Sequence, residues 1–316
     1  MKKIIVFFIV FDMLIFSYYV RFVSSNVILN KEEVVIENNN LDNLSSDNTK
    51  SNYMIKINYS GNIEEIDLED YVVGVVACEM PASFNIEALK SMAVAARTFA
   101  LYKVENNNNY VMKTTAADQC FIKENKMKEK WGSSYEKMYS KVKSAVLETQ
   151  NQYMTYDDDI IVSFYFSISN GYTENCENVF SQKLDYLKSV SSEWDKDYNF
   201  KQKDVKIKVS DFLSKLSIDD KNIENISIDR TDTNRISYIN INGKKFKGGK
   251  FRSLLSLRST DMEIEYDSEY VYIKTKGYGH GVGMSQYGAH SMAKLGYKYD
   301  EILKYYYSGI EIVNNL

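Results

Sequence analysis

The run FNIEALKSMAVAARTFALY, residues 84–102, constrains the chain most. Leu89, Met92, Ala93, Ala96 and Ala100 recur at helical spacing and form one apolar, small-residue stripe. Such a stripe lets a helix approach its neighbour closely, so this one is expected at the centre of a core. Asn85 is a suitable N-cap, and Glu87 falls in the first turn, where the helix dipole favours a negative charge. The apolar residues 74–78 just upstream read first as a strand, with a short helix as the alternative, which sets Glu79 at a strand-to-helix junction. Pro81, the one proline in 316 residues, lies two positions later. Burial against Val76, Ala77, Met80 and Pro81 would hold a carboxylic acid protonated near neutral pH, as a general acid requires.

A chain of 316 residues can bury a full core, as one large domain or two lobes. The net charge of -4 gives no reason to expect nucleic acid as a partner. Lys2 and Lys3 precede an apolar run, residues 4–20, broken only by Asp12. A bilayer span takes about 20 apolar residues, so residues 1–25 read as a single N-terminal membrane helix with the remainder exported. A signal segment cleaved near residues 23–25 is the competing reading. Residues 26–52, rich in Asn, Asp, Ser and Glu, read as a flexible linker. Residues 53–316 form the globular part, and the polar stretch 204–262 suggests a second lobe or inserted subdomain. Short strands mix with scattered helices without regular βαβ alternation. The expected fold class is therefore α+β: a two-lobed domain with a buried central helix.

Cys78, Cys120 and Cys176 show no paired short spacing. A Cys120–Cys176 disulfide is one arrangement outside the cytoplasm, and buried structural thiols are the favoured one. A zinc site joining cysteines to His280 or His290 has no local ligand pair to nucleate it. No metal or cofactor is expected. Residues 277–288, GYGHGVGMSQYG, carry five glycines around His280. That density lets backbone approach a ligand and aims His280 and Gln286 into a cleft, although a tight hairpin with a structural histidine explains it equally. Arg97 is expected either to bind substrate at the cleft or to brace a carboxylate.

Several segments, in order, carry a resemblance: GVVACEMPASFNIEALKSMAVAARTFAL, ADQCF, SNGYTENCENVF, YLKSVSSEWD, FRSLLSLRST and the glycine-rich C-terminal stretch. Together they resemble the stage II sporulation protein D and amidase-enhancer family over residues 53–314. The resemblance implies a membrane-anchored lytic transglycosylase of peptidoglycan, acting in forespore engulfment on glycan strands whose stem peptides an amidase has removed. It matches Glu79 to the catalytic glutamate. It places Asp118 and Gln119, the Ser169, Asn170, Gly171, Tyr172, Thr173 turn, and His280 and Gln286 around the substrate. It also implies as partners the membrane, a sporulation amidase (stage II sporulation protein P) and stage II sporulation protein M. The domain would face the space between mother cell and forespore membranes. Relatives often carry histidine where this chain has Phe166, so a histidine-dependent role there is in doubt.

One carboxylate suffices for such a reaction, because the acid that protonates the leaving oxygen can then take the proton of the attacking hydroxyl. Three other readings compete: a non-catalytic glycan binder that stimulates an amidase, a hydrolase in which Asp118 activates water beside Glu79, and a cysteine peptidase built on Cys78 or Cys176.

Overall fold

A computed structural model describes residues 53–316 apart from Ser181. The expected membrane helix and linker lie outside the described residues. Among the described residues no helix is long and apolar enough to cross a membrane.

The fold is α+β, with several small sheets packed on helices. β1 (Met54–Tyr59) and β2 (Asn62–Asp67) form a hairpin in the register Met54 to Asp67. Ser60 and Gly61 turn it, both with positive φ, as a two-residue hairpin turn requires. Helix α1 (Leu68–Glu79) follows at once. This corrects the strand expected before Glu79. Its valines are β-branched, but the helix is buried on nearly every side, and such a run cannot be told from a strand by periodicity. The deciding signal is upstream: Asp67 Oδ1 accepts from the Glu69 and Asp70 amides, and Glu69 and Asp70 fill the acidic first turn.

Helix α2 (Ile86–Glu105) is the expected central helix, capped by Asn85, whose side chain accepts from the Glu87 amide. Most of it is buried, and the alanines at 93, 95, 96 and 100 are fully so. A strand β3 (Val111–Lys113) adds to β1 in parallel. Helices α3 (Glu124–Trp131) and α4 (Tyr135–Leu147) lead into β4 (Gln152–Tyr156), β5 (Asp159–Ile160), β6 (Tyr165–Phe166) and α5 (Cys176–Phe180).

Residues 203–275 then build a separate hydrophobic cluster from Val209, Phe212, Phe251, Val271 and their neighbours. Its elements are β7 (Lys203–Lys208), α6 (Val209–Lys215), β8 (Ile226–Arg230), β9 (Ile236–Ile241), β10 (Lys244–Lys247), α7 (Gly248–Leu254), β11 (Met262–Tyr266) and β12 (Tyr270–Thr275). They form two three-stranded antiparallel sheets.

The chain returns to the first core with β13 (Met284–Ser285), α8 (Gln286–Lys294), α9 (Tyr299–Tyr306) and β14 (Glu311–Asn314). β13 pairs in parallel with β6, Met284 opposite Tyr165 and Ser285 opposite Phe166. Gly283 makes this pairing possible: it sits at φ 77°, and a Cβ there would lie 1.9 Å from the Phe164 carbonyl oxygen.

Candidate active site

Glu79 is the last residue of α1, and the chain leaves the helix at Met80 in extended conformation. It therefore lies between two helices, with its carboxylate half-buried at the end of α1. Oε1 accepts from the Cys120 amide at 2.8 Å. The side chains of Gln286 and Tyr165 lie close enough to the carboxylate to act on it as donors. Loss of solvation raises the Glu79 pKa above the usual carboxylate value; those donors and the nearby Lys130 ammonium oppose the rise without cancelling it. The arrangement suits an acid that must give up a proton and then be stabilised as the anion.

Each donor is itself held. Tyr71 donates to Gln119 Oε1 at 3.1 Å, and Gln119 Nε2 donates to Tyr165 Oη at 3.1 Å. The Tyr165 oxygen thus accepts a hydrogen bond from Gln119, which leaves its own O–H to point at Glu79. Both phenols are pushed up by burial and stay neutral. Lys130 Nζ donates to the Ala77 carbonyl at 2.7 Å, capping the C-terminal end of α1. The loop bearing Cys120 comes this close because residue 74 is glycine: a Cβ there would meet the Phe121 ring at 2.2 Å.

Cys78 and Cys120 are joined by a disulfide, with Cα atoms 5.6 Å apart, and Cys176 is the free, buried cysteine. This corrects both the Cys120–Cys176 pairing and the expectation of three buried thiols. The bridge pins the residue before Glu79 to the residue whose amide holds Glu79. It also removes the peptidase reading. Neither bridged sulfur is a thiolate, and burial pushes the Cys176 thiol up to about 11. A Cys78→Ser, Cys120→Ser double variant is expected to lose about 2–4 kcal/mol of stability, as removal of a loop-closing bridge does. A denaturant midpoint equal to that of the parent protein would contradict this.

The other residues expected at the site divide sharply. Gln286, at the start of α8, touches Glu79 directly. Gln119 is fully buried and bonds Tyr165, so it bears on Glu79 through that residue. Asp118, expected beside substrate, is consumed: its oxygens accept from the Tyr110 hydroxyl, the Lys113 amide and Lys103. Its side chain is buried and already held by three donors, which does not suit a base that activates water. Arg97, expected either at the cleft or bracing a carboxylate, is fully buried and forms a bidentate pair with Glu69, which is the bracing role.

The turn from Ser169 to Thr173 is scaffold. Ser169, Asn170 and Thr173 are buried, and Asn170 Nδ2 donates to the Thr233 carbonyl and to Asp261. Gly171 carries the turn at φ 118°, and Tyr172 alone offers an exposed side chain. His280 sits against the rings of Phe164, Phe166 and Phe180. Desolvation, with Arg252 and Arg235 nearby, lowers its pKa to about 3, so it is neutral. Its Nδ1 accepts from the Val282 amide, and the ring hydrogen-bonds the Tyr165 backbone. His280 therefore reaches Glu79 through Tyr165. Tyr165, Tyr71 and Lys130 had no sequence signal, because only the tertiary fold brings them to Glu79.

The family model described as Stage II sporulation protein (SpoIID) matches residues 57–156. The chain is 40% identical over 259 residues to stage II sporulation protein D of Bacillus subtilis (strain 168), covering 79% of this chain and 76% of that one. The chain belongs to the stage II sporulation protein D family. It is also 40% identical over 259 residues to stage II sporulation protein D of Bacillus amyloliquefaciens, covering 79% and 75% of the two chains. Similarity extends to the amidase enhancer of Bacillus subtilis (strain 168), at 27% identity over 306 residues, covering 76% of this chain and 40% of that one. The family match spans the α1–α2 junction, so Glu79, Arg97 and the Asp118–Gln119 pair all lie inside it.

Proposed function

We propose that this chain is a lytic transglycosylase of peptidoglycan that acts in sporulation. Glu79 carries the reading: one half-buried carboxyl, its pKa raised by desolvation, with donors fixed on its oxygens. In the protonated form Glu79 gives its proton to the glycosidic oxygen between N-acetylmuramic acid and N-acetylglucosamine. The bond from the muramic anomeric carbon to that oxygen breaks. The muramic 6-hydroxyl attacks the anomeric carbon, and the Glu79 carboxylate takes the hydroxyl proton. A 1,6-anhydro sugar and a free 4-hydroxyl result, and Glu79 ends as it began. Cys120, Tyr165 and Gln286 stabilise the anion between the two transfers. The consumed state of Asp118 disfavours a two-carboxylate hydrolase.

The N-terminal run would anchor the protein in the membrane, with the domain outside the cytoplasm, on strands that a sporulation amidase has stripped of stem peptides. The similarity to an amidase enhancer supports a second reading, a glycan binder that stimulates the amidase.

Activity is expected at pH values below the Glu79 pKa, where the acid holds its proton, and is lost as pH rises through that value. Tyr165→Phe removes one donor to the anion. It should lower kcat by about tenfold, the worth of one hydrogen bond to a charged group, and move the alkaline limb to higher pH. A pH profile unmoved by this substitution would contradict the role given to Tyr165.

A further inference from the structure

From Gln286, which touches Glu79, helix α8 leads along a series of aromatic rings to a hollow at its far end. Phe84 stacks on His290 at 4.2 Å and meets Tyr287 at 5.1 Å, and Tyr287 meets Tyr198 at 4.7 Å. Beyond them lies a hollow of about 350 Å³ lined by Glu193, Trp194, Lys196, Asp197, Ser291 and Lys294, with the exposed Leu295 at its edge. Trp194 lies edge-on to Tyr297 at 5.9 Å and to Tyr305 at 6.0 Å.

Two polar atoms here lack partners among the described residues. Ser291 is 4% exposed, and its Oγ makes no hydrogen bond; Trp194 Nε1 is buried and makes none either. The Tyr305 hydroxyl lies near the indole but outside hydrogen-bonding geometry, and it donates to the Ser191 carbonyl at 2.8 Å. Buried polar groups are ordinarily satisfied, so a pair left open in one hollow, beside an indole and two phenols, points to a ligand that supplies the missing bonds. Lys196 and Lys294 at the rim form no ion pair among the described residues.

We infer that this hollow is a remote subsite for an N-acetylhexosamine unit of the glycan strand. The apolar face of the sugar would stack on the Trp194 and Tyr297 rings. The N-acetyl carbonyl would accept from Trp194 Nε1, and a ring hydroxyl would meet Ser291 Oγ. Ser291 is five residues along α8 from Gln286, roughly 8 Å at 1.5 Å per residue. Five residues also turn about 140° around the helix axis, so a strand that occupied both sites would bend around α8. The assignment rests on the glycan reading of the Glu79 site but not on turnover.

The chain has two tryptophans, so Trp131→Phe leaves Trp194 as the single indole. The full chain carrying Trp131→Phe, in detergent, is titrated with tetra-N-acetylchitotetraose, and indole fluorescence is followed. A saturable change is expected. Trp194→Ala should weaken binding about tenfold, the upper end of an aromatic contact, measured by calorimetry. Ser291→Ala, which keeps the fold, should weaken it by a factor of about two to ten. In catalysis, Ser291→Ala should lower kcat/KM on long denuded strands and leave the shortest cleavable strand unaffected. A silent indole together with unchanged affinity in Ser291→Ala overturns the subsite, even if anhydro products still form. Sugar binding that persists in a protein releasing no anhydro product leaves the subsite standing and removes the proposed chemistry.

Discussion

Glu79→Gln is expected to lower the rate of anhydro-sugar release by about 10²–10⁴, the usual effect of losing a general acid and base, while the protein still folds and still binds glycan. Glutamine keeps the shape and can accept from the Cys120 amide, as the carboxylate does at 2.8 Å. It has no proton of suitable acidity for the leaving oxygen and cannot take one from the 6-hydroxyl. The loss should therefore fall on kcat, with KM nearly unchanged. Thermal unfolding at the parent temperature would show that the loss is chemical and not structural. A variant retaining parental kcat would remove Glu79 from the mechanism.

The largest effect on stability is expected at Arg97. This residue is fully buried: Nε and Nη2 donate to the two oxygens of Glu69 at 2.8 and 2.5 Å, and Nη1 donates to the Gln152 carbonyl at 2.9 Å. It ties the first turn of α1 to α2 and β4. Arg97→Met leaves the Glu69 carboxylate buried without a counter-charge, and the cost should be about 3–5 kcal/mol. The denaturant midpoint should fall with the slope unchanged. Adding Glu69→Leu should restore most of the loss, because a buried ion pair replaced whole by apolar groups is often neutral. A double variant no more stable than Arg97→Met alone would show that the cost came from lost packing and not from the stranded charge.

The sequence made the central helix legible because its signals are local. Small residues at helical spacing, Asn85 before the first turn and Glu87 within it all agree with the helix observed over Ile86–Glu105. Helix α1 was misread because four valines in a short apolar run satisfy a buried strand and a buried helix alike. The Asp67 cap with Glu69 and Asp70 behind it was the available correction. Glu79 itself was legible from its apolar neighbours. Of its partners Gln286 was named from the glycine-rich stretch and the others were not: the Cys120 amide is 41 residues away in the chain, and Tyr165 arrives through the β6–β13 pairing. The Cys78–Cys120 bridge follows from the close pass of that loop over Gly74, which no spacing encodes. Asp118 shows the opposite failure, and Arg97 shows it in part, since bracing a carboxylate was one of its two expected roles. Charged residues within a family motif invite a functional role, yet both are consumed in the scaffold, by Glu69 and by Tyr110 with Lys103.

The central claim is that a single carboxyl cuts the strand without water. Mass spectrometry of fragments released from denuded glycan strands tests it most directly, with the parent protein and Glu79→Gln compared side by side. The parent should release muramic ends lighter by one water than a hydrolytic product and resistant to borohydride reduction, and Glu79→Gln should release almost none. Reducible ends from the parent, or anhydro ends at the parental rate from Glu79→Gln, would contradict it.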